Sequence, residues 1–186
     1  MGEIWGLVLA GGKSSRMGQS KALLPFNGGR LIDSMVNLLA AATGDSSRVW
    51  ISGRVDGYVC TEDEFAGRGP LEGLRCVLKL LPEEDIVVVV PVDMPRLTAE
   101  CLMVLLKTRV AGQDFVRFTD SELPCALVVS RKMKASLDEL CAPLMPSRLR
   151  SFKSLFSRLR GEEIRCPCPE VLYNANTPEE WQEIIK

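Results

Sequence analysis

One isoleucine followed by four valines, at positions 86–90, is the feature that most limits how this chain can fold. A strand with one face in water alternates apolar and polar residues, and this run contains no polar residue. A continuous β-branched run indicates a strand covered on both faces, as in the centre of a parallel sheet flanked by helices. The run therefore predicts an α/β protein.

Strands and helices are predicted to alternate on both sides of this run. Short apolar segments predict strands at residues 4–10, 49–52, 115–118 and 126–129. Apolar spacing and capping residues predict helices at 31–42, 69–81, 98–110, 132–140 and 151–159, with a last helix beginning at Thr177-Pro178. This order predicts a doubly wound, mostly parallel sheet with helices on both faces, a Rossmann-like arrangement that binds ligands at the carboxyl ends of its strands. The 186 residues, 46% of them hydrophobic, fit a single domain over residues 1–186.

The charge of the chain is nearly balanced, with 23 lysines and arginines against 24 acidic residues. No overall field would hold such a chain on nucleic acid or on an anionic membrane, so neither is expected as a partner. The first residues lack the pattern of a cleaved signal, and no apolar run reaches the about 20 residues of a membrane span. We therefore expect a soluble, cytoplasmic protein in which anion binding depends on local cations.

The chain contains no histidine, which excludes imidazole bases and histidine-dependent triads. Catalysis would then depend on carboxylates, cations, a metal ion or backbone donors. The seven cysteines form an odd set in mostly apolar surroundings and are expected to be reduced. The segment Cys166-Pro167-Cys168 has no second ligand pair at zinc-site spacing, so we expect no metal or redox role for it.

A glycine-rich segment directly after the first strand is the strongest candidate for an anion-binding site. Its glycines and cations are Gly11, Gly12, Lys13, Arg16, Gly18 and Lys21. Glycine lets the backbone approach a phosphate closely, and the cations offset phosphate charge. The spacing matches neither the Rossmann glycine pattern nor the Walker A loop. A polar surface loop with incidental cations is the alternative that local physics leaves open.

Four segments of the chain together resemble one protein family. The loop after the first strand reads Leu9-Ala10-Gly11-Gly12, then Arg16-Met17-Gly18, then Lys21. It resembles the LAGGxSxRMGxxK signature of the molybdenum cofactor guanylyltransferases, the MobA proteins, within the sugar-nucleotide-transferase-like nucleotidyltransferases. Three further family signatures are similar, in the same order, to Gly69-Pro70-Leu71-Glu72-Gly73, Pro91-Val92-Asp93-Met94-Pro95 and Asn174-Ala175-Asn176-Thr177-Pro178. The resemblance extends from the first strand to the last helix.

The resemblance implies a Mg²⁺-dependent nucleotidyltransferase that uses GTP. It implies catalytic roles for Lys21, Arg16 and Asp93. Asp93 would bind Mg²⁺, with Asn174 and Asn176 as further metal or acceptor-site ligands. The implied nucleotide-binding residues are Leu9, Ala10, Gly11, Gly12, Arg16, Gly18, Lys21, Asp63, Gly69, Pro70 and Asp93. For Asp93 the position just beyond an apolar strand supports the same role independently, because ligands bind at that edge of a sheet.

Simpler roles remain open for several of these residues. Asp93 could be an ordinary turn residue before Pro95, and Asn176 could merely precede a capped helix. Gly69-Pro70 could serve only to begin a helix. Which of Asn174 and Asn176 acts is not decided by the sequence.

The implied reaction is attack by the terminal phosphate of molybdopterin, with or without molybdenum, on the α-phosphorus of GTP, with release of pyrophosphate. The nucleophile is already an anion, so no general base is needed. The implied partners are GTP and molybdopterin, together with other cofactor-biosynthesis proteins or molybdoenzymes.

Two sequence features bear on the choice of nucleotide and acceptor. Relatives that use CTP tend to carry alanine in place of Gly11, and the missing methyl leaves room for a larger base. Cations within residues 148–160 are expected to meet an anionic acceptor, unless they form an ordinary solvated helix face. The alternatives are a cytidylyltransferase or a sugar-1-phosphate nucleotidyltransferase of the same fold. A third alternative is a protein that binds a nucleotide without catalysing its transfer. The presence of Arg16, Lys21 and Asp93 together argues against it.

Overall fold

The computed structural model describes residues 2–11, 20–65, 67–108 and 112–184. The strands are β1 (Ile4–Leu9), β2 (Pro25–Phe26), β3 (Gly29–Arg30), β4 (Val49–Ser52), β5 (Cys60–Thr61), β6 (Ile86–Pro91), β7 (Phe115–Phe118), β8 (Cys125–Val128) and β9 (Gly161–Ile164). The α-helices are α1 (Leu31–Thr43), α2 (Pro70–Leu80), α3 (Ala99–Thr108), α4 (Arg131–Leu140), α5 (Phe152–Phe156) and α6 (Pro178–Ile184). Short 3-10 turns lie at Lys21–Leu23, Ser46–Arg48, Ser147–Leu149 and Pro169–Leu172.

The main sheet has the strand order β5-β4-β1-β6-β8-β7-β9. Strands β5, β4, β1 and β6 are parallel, β8 runs antiparallel to both of its neighbours, and β9 is parallel to β7. The carboxyl ends of β1, β4, β6, β7 and β9 therefore meet at one edge of the sheet. The predicted mostly parallel α/β sheet is confirmed.

Strand β6 is covered on both faces, as its sequence predicts. Val88 and Val90 face a cluster that contains residues of α1 and α3 together with Trp181, whereas Val87 and Val89 face a second cluster with α2, α4 and α5. All four valine side chains are fully buried. Burying each contributes roughly 1.5–3 kcal/mol, which is why this run fixes the centre of the sheet.

Besides the short parallel pairing of β5 with β4, two strand pairings were not predicted from the sequence. Strands β2 and β3 form a hairpin whose turn is Asn27-Gly28, and both residues have positive φ, at 49° and 78°. An Asn-Gly pair is the typical signal for such a turn. The other is the pairing of β9 with β7 at the edge of the main sheet.

Helix α5 is shorter than the predicted helix at 151–159. Ser151 caps its start, where its Oγ accepts from the Ser154 N–H at 3.2 Å. After Phe156 the chain forms a tighter turn, in which the Leu159 N–H donates to the carbonyl of Phe156, three residues earlier, at 3.2 Å. The Asp114 N–H then donates to the Arg160 carbonyl at 2.6 Å, which draws the chain away from the helix and into β9. Sheet pairing thus overrides helical spacing here.

The helix predicted at 98–110 is observed at Ala99–Thr108, and residues 109 and 110 lie outside the described residues. Within the described ranges, no helix has both the length and the apolar character needed to cross a membrane. The seven cysteines are free thiols, and the sulfur atoms of Cys101 and Cys166 lie 3.8 Å apart.

Candidate functional site

A lysine, an aspartate and an asparagine from distant parts of the chain meet at the carboxyl edge of the sheet. Lys21 Nζ lies 3.1 Å from Asp93 Oδ2 and 2.9 Å from Asn176 Oδ1. Lys21 begins the turn that follows the glycine-rich segment, Asp93 comes two residues after β6, and Asn176 precedes α6. The side chains of Lys21 and Asp93 are only 16% and 24% exposed, so solvent screens this ion pair less than a surface pair. We call these three residues the edge cluster.

Backbone hydrogen bonds hold Asp93 and the asparagine segment together. The Val92 N–H donates to the Leu9 carbonyl at 3.2 Å and extends the β1–β6 pairing past the end of β6. The Ala175 N–H donates to the Asp93 carbonyl at 2.9 Å. The turn that carries Asp93 is therefore tied both to β1 and to the segment that carries Asn176.

The start of α6 fixes the position of Asn176. Glu180 Oε2 accepts from the N–H groups of Asn176 and Thr177 at 2.6 and 3.0 Å, and the Glu180 N–H donates to Thr177 Oγ1 at 3.2 Å. This is the reciprocal arrangement of a capping box, which the sequence predicts. The backbone donor of Asn176, followed by that of Thr177, lowers the pKa of Glu180 and keeps it ionised.

The two candidate asparagines differ in their surroundings. Asn176 contacts Lys21, whereas the side chain of Asn174 is exposed and forms no hydrogen bond with the described residues. The carboxylate of Asp93 and the amide oxygen of Asn176 both lie within hydrogen-bond distance of a single cation, the Lys21 ammonium. Carboxylate and amide oxygens are also the donors that Mg²⁺ accepts, so this donor set fits such an ion.

A cleft of about 530 Å³ lies beside the edge cluster, at the carboxyl ends of β1 and β4 and the start of α2. Its walls are formed by Leu9, Gly11, Ser52, Asp63, Gly67, Gly69 and Pro70. Leu9 in the cleft wall is paired with Pro91 of β6, two residues before Asp93. Neighbouring strands lie about 4.8 Å apart, so the cleft and the turn carrying Asp93 lie at the ends of adjacent strands. The volume suits a small-molecule site.

A glycine allows the start of α2 to reach this cleft. A methyl group on Gly73 would lie 1.8 Å from Ser52 Oγ and 2.5 Å from its Cβ, which is a severe overlap. Only glycine lets α2 approach the end of β4 this closely. By contrast, a methyl group on Gly11 would lie 3.6 Å from the Ser52 carbonyl oxygen, an ordinary contact. Alanine at position 11 would therefore fit, and it would add volume next to Ser52 in the cleft wall.

Asp63 supplies the carboxylate of the cleft. Desolvation by the surrounding protein and the nearby charge of Glu72 raise the pKa of its carboxyl above the usual value, even though Asp63 remains accessible to solvent. A carboxylate held with reduced hydration interacts more strongly with a donor that enters the cleft. Its two oxygens can accept a pair of N–H donors.

The structure brings most of the predicted residues together. Leu9, Gly11, Asp63, Gly69 and Pro70 line the cleft, and the Ala10 N–H donates to the Ser52 carbonyl at 3.1 Å. Gly12, Arg16 and Gly18 lie outside the described residues.

Sequence reasoning missed two residues of the cleft wall, Ser52 and Gly67. Ser52 could have been found, because it ends a predicted strand at the edge where ligands bind.

A second cavity, of about 430 Å³, opens on the other side of β6. It is lined by Phe115, Arg117, Thr119, Asp120, Ser121, Glu122, Lys153, Phe156, Ser157 and Glu163. Arg117 forms an ion pair with Glu163, and its guanidinium lies over the Phe156 ring, 5.4 Å from the centroid. The cations of residues 148–160 do not form one surface, because Lys153 lines this cavity whereas Arg158 pairs with Glu139 of α4 at 2.6 Å.

Known proteins share both the sequence pattern and the fold of this chain. The family model described as a MobA-like NTP transferase domain matches residues 6–161. The molybdenum cofactor guanylyltransferase of Xanthomonas euvesicatoria pv. vesicatoria (strain 85-10) is 38% identical over 182 residues, which cover 97% of this chain and 93% of that protein.

Solved structures show how widely the fold is used. The molybdopterin-guanine dinucleotide biosynthesis protein A of Archaeoglobus fulgidus superposes with a TM-score of 0.75 at 19% identity, covering 97% of this chain and 96% of that one. A cytidylyltransferase of Leptospira borgpetersenii serovar Hardjo-bovis (strain JB197) superposes with a TM-score of 0.69 at 14% identity, covering 99% and 85%. At these identities the likeness establishes the fold alone.

Proposed function

Because the chain belongs to the MobA-like NTP transferase family, we propose that it transfers GMP from GTP to the terminal phosphate of molybdopterin or of the molybdenum cofactor. Pyrophosphate is the leaving group, and molybdopterin guanine dinucleotide is the product. The observation that carries this proposal is the edge cluster of Lys21, Asp93 and Asn176 beside a nucleotide-sized cleft. The 38% identical guanylyltransferase of Xanthomonas supports the choice of substrates.

Catalysis in this site depends on charge and alignment. The acceptor phosphate is already an anion, so the protein has to bring two phosphates together and offset their repulsion. Asp93 and Asn176 hold the Lys21 ammonium at the sheet edge, where it stabilises charge on the α-phosphate. We assign the same role to Arg16, and phosphate contacts to Gly12 and Gly18, from the family signature.

Asp93 and Asn176 would also hold Mg²⁺. When bound, the ion supplies positive charge that screens the phosphate oxygens and orients them. Asp93 therefore serves both the lysine and the metal in this proposal. We retain Asn174 as a further ligand candidate on the acceptor side.

The cleft residues suit a guanine base. Leu9, Gly69 and Pro70 offer apolar and backbone surface, and Gly11 leaves out the methyl group that would narrow the cleft next to Ser52. The Asp63 carboxylate can accept from the N1–H and 2-amino groups of guanine, which lie side by side on one edge of the base. Cytosine has no such pair of adjacent donors.

The second cavity is where we propose that the acceptor lies. β7 ends at the same edge of the sheet as β6 and stands two strand positions away, about 10 Å. The carboxylates of Asp120 and Glu122 can accept from the amino and ring N–H groups of a pterin, and Lys153 can attract its phosphate. We further propose that the protein acts in the cytoplasm and delivers its product to other cofactor-biosynthesis proteins or molybdoenzymes.

The proposal is tested by supplying Mg²⁺ and molybdopterin with GTP, CTP or ATP in separate reactions, by supplying GTP with a sugar 1-phosphate in a further reaction, and by measuring both pyrophosphate and the nucleotide product. We expect GTP to be used at least about tenfold better than CTP, in terms of kcat/KM. Preference for CTP, or for a sugar 1-phosphate over molybdopterin, would replace the guanylyltransferase with one of the alternative nucleotidyltransferases.

A further inference from the structure

Helix α2 contains a buried ion pair that the proposed chemistry does not use. Glu72 is fully buried, and the side chain of Arg75, one turn later, is 6% exposed. Arg75 Nη2 lies 2.6 Å from Glu72 Oε1, and Arg75 Nε lies 3.0 Å from Glu72 Oε2, which is a two-point contact. Removing two charges from water is costly, and an apolar pair of similar volume is often as stable or more stable. Stability alone therefore does not account for this pair.

The same two side chains hold the loop that carries Asp63. Glu72 Oε1 accepts from the Phe65 N–H at 3.3 Å. Arg75 Nη2 also donates to Glu64 Oε2 at 2.7 Å. Asp63 directly precedes these two anchored residues, Glu64 and Phe65. The base-facing carboxylate of the cleft is thus tied to α2 through its immediate neighbours.

Further contacts hold Phe65 and Arg68, which belong to the same loop as Asp63. The guanidinium groups of Arg68 and Arg75 lie over the Phe65 ring, 4.2 and 5.5 Å from its centroid. Arg68 also donates to the Cys141 carbonyl at the end of α4. Arg75 reaches α4 as well, where its Nη1 lies 3.3 Å from Asp138 Oδ1. The loop is therefore held between α2 and α4.

The charges around Arg75 keep the pair ionised. Burial acts to raise the pKa of Glu72, but the hydrogen bonds and charge of Arg75 outweigh it and leave this pKa below the usual value. Arg75 faces three carboxylates, those of Glu72, Glu64 and Asp138. The Glu72 charge in turn acts on the Asp63 carboxyl in the cleft.

We propose that Glu72 and Arg75 are positioning residues that set the preference for a base carrying a 2-amino group, by fixing Glu64 and Phe65 and with them Asp63. This inference rests on the proposed use of GTP. Residues 62–69 form no helix or strand in the part of this segment that the structure describes, so contacts with α2 and α4 determine where Asp63 lies. A carboxylate can accept from both the N1–H and the 2-amino group only when it lies in the plane of the base.

The test compares GTP with ITP, whose base lacks the 2-amino group. The informative variant is the double substitution Glu72→Leu with Arg75→Met, which fills the same space without leaving a lone buried charge. The matched control is Glu83→Gln with Arg131→Met, which removes an ion pair whose side chains are 47% and 90% exposed. Asp63→Asn serves as the benchmark for complete loss of the carboxylate.

Affinity for GTP and for ITP is measured without acceptor, and kcat/KM for both is measured with molybdopterin. In the wild-type protein and the control we expect GTP to be preferred at least about tenfold. In the double variant the ratio of kcat/KM for GTP to kcat/KM for ITP should fall at least about fivefold, because GTP binds more weakly. The kcat at saturating GTP should stay within about threefold of the wild-type value.

Equal losses with GTP and ITP, which leave the ratio unchanged, would mean that the pair has only a structural role and would overturn the inference. A wild-type protein that does not distinguish GTP from ITP would overturn it as well. If the wild-type protein binds GTP over ITP and the double variant loses that preference, but no GMP is transferred to molybdopterin, the proposed function would be contradicted and the role of Glu72 and Arg75 supported. The role of the Arg75 guanidinium is tested with Arg75→Lys, which keeps the positive charge and should retain part of the preference for GTP over ITP.

Discussion

The two cavities on either side of β6 are formed by different kinds of groups. On the side of β1, β4 and β5 all strands are parallel, and the cleft is formed by strand ends, three glycines and one carboxylate. On the side of β8, β7 and β9, strand β8 runs antiparallel to both of its neighbours, and the cavity is lined mostly by polar and charged side chains. The comparison indicates that the proposed nucleotide side depends on backbone geometry, whereas the proposed acceptor side depends on side-chain chemistry.

This difference predicts how each side responds to substitution. A change of backbone shape near the cleft should affect nucleotide binding strongly, because an added atom displaces a wall. A change of one surface charge in the second cavity should affect acceptor binding modestly, since exposed charges are screened. The edge cluster lies between the two and should affect turnover itself.

The largest effect is expected from Lys21→Ala. Without the ammonium, charge on the α-phosphate is less well stabilised, and kcat should fall about 10²–10³-fold. The GTP dissociation constant should change much less. Pyrophosphate release checks this, with Lys132→Ala as a control, because Lys132 is an exposed lysine paired with Asp114 away from the cleft. Normal turnover in the Lys21 variant would remove the edge cluster from the mechanism.

Asp93→Asn should reduce kcat/KM by about 10²-fold, because the carboxylate that orients Lys21 and would hold Mg²⁺ becomes a neutral amide. The dependence of rate on Mg²⁺ concentration is the informative measurement. We expect half-saturation to shift to higher Mg²⁺, with partial recovery of rate there. A lower rate with an unchanged Mg²⁺ dependence would assign Asp93 to the lysine alone.

Gly73→Ala tests the dependence of the cleft on backbone approach. The added methyl group would overlap Ser52, so α2 must move, and we expect a loss of about 1–3 kcal/mol in unfolding free energy together with weaker GTP binding. Denaturant unfolding and GTP titration measure the two effects. Adding Ser52→Gly removes the overlapping atoms and should restore part of the GTP affinity. No recovery in the double variant would mean that the overlap is not the cause.

The smallest effect is expected from Lys153→Glu in the second cavity. Reversal of one exposed charge should raise the KM for molybdopterin by about threefold to tenfold and leave the KM for GTP unchanged. Steady-state kinetics with each substrate varied in turn provide the measurement. Lys107→Glu, an exposed lysine near the end of α3, is the control. An effect on GTP instead of molybdopterin would place the acceptor elsewhere.

The sequence predicts five of the nine strands in the described residues, the sheet edge at which the cleft lies and the family, because these depend on local periodicity and on short signatures. The run at 86–90 and the capping box at Thr177 are both confirmed. Which of Asn174 and Asn176 lies at the site could not be decided from the sequence, since both follow the family pattern. Only the folded start of α6 distinguishes them, by turning Asn176 toward the lysine.

The Glu72–Arg75 pair was also beyond sequence reasoning. Two opposite charges three residues apart on a helix usually mark a solvated face. Here the described residues of the loop that carries Asp63, 62–65 and 67–69, contact α2, and both side chains are buried. Whether such a pair is buried depends on which part of the protein an irregular loop covers. The periodicity of the sequence does not predict that.

The capping box at Thr177 has a consequence for how the protein is made. Asn176 is 155 positions away from Lys21, and it is oriented by Glu180. During synthesis the β1, β4 and β6 strands can pair long before that residue leaves the ribosome. The nascent chain can therefore form its cleft early and still lack the complete edge cluster, which closes only when the segment around Glu180 has folded.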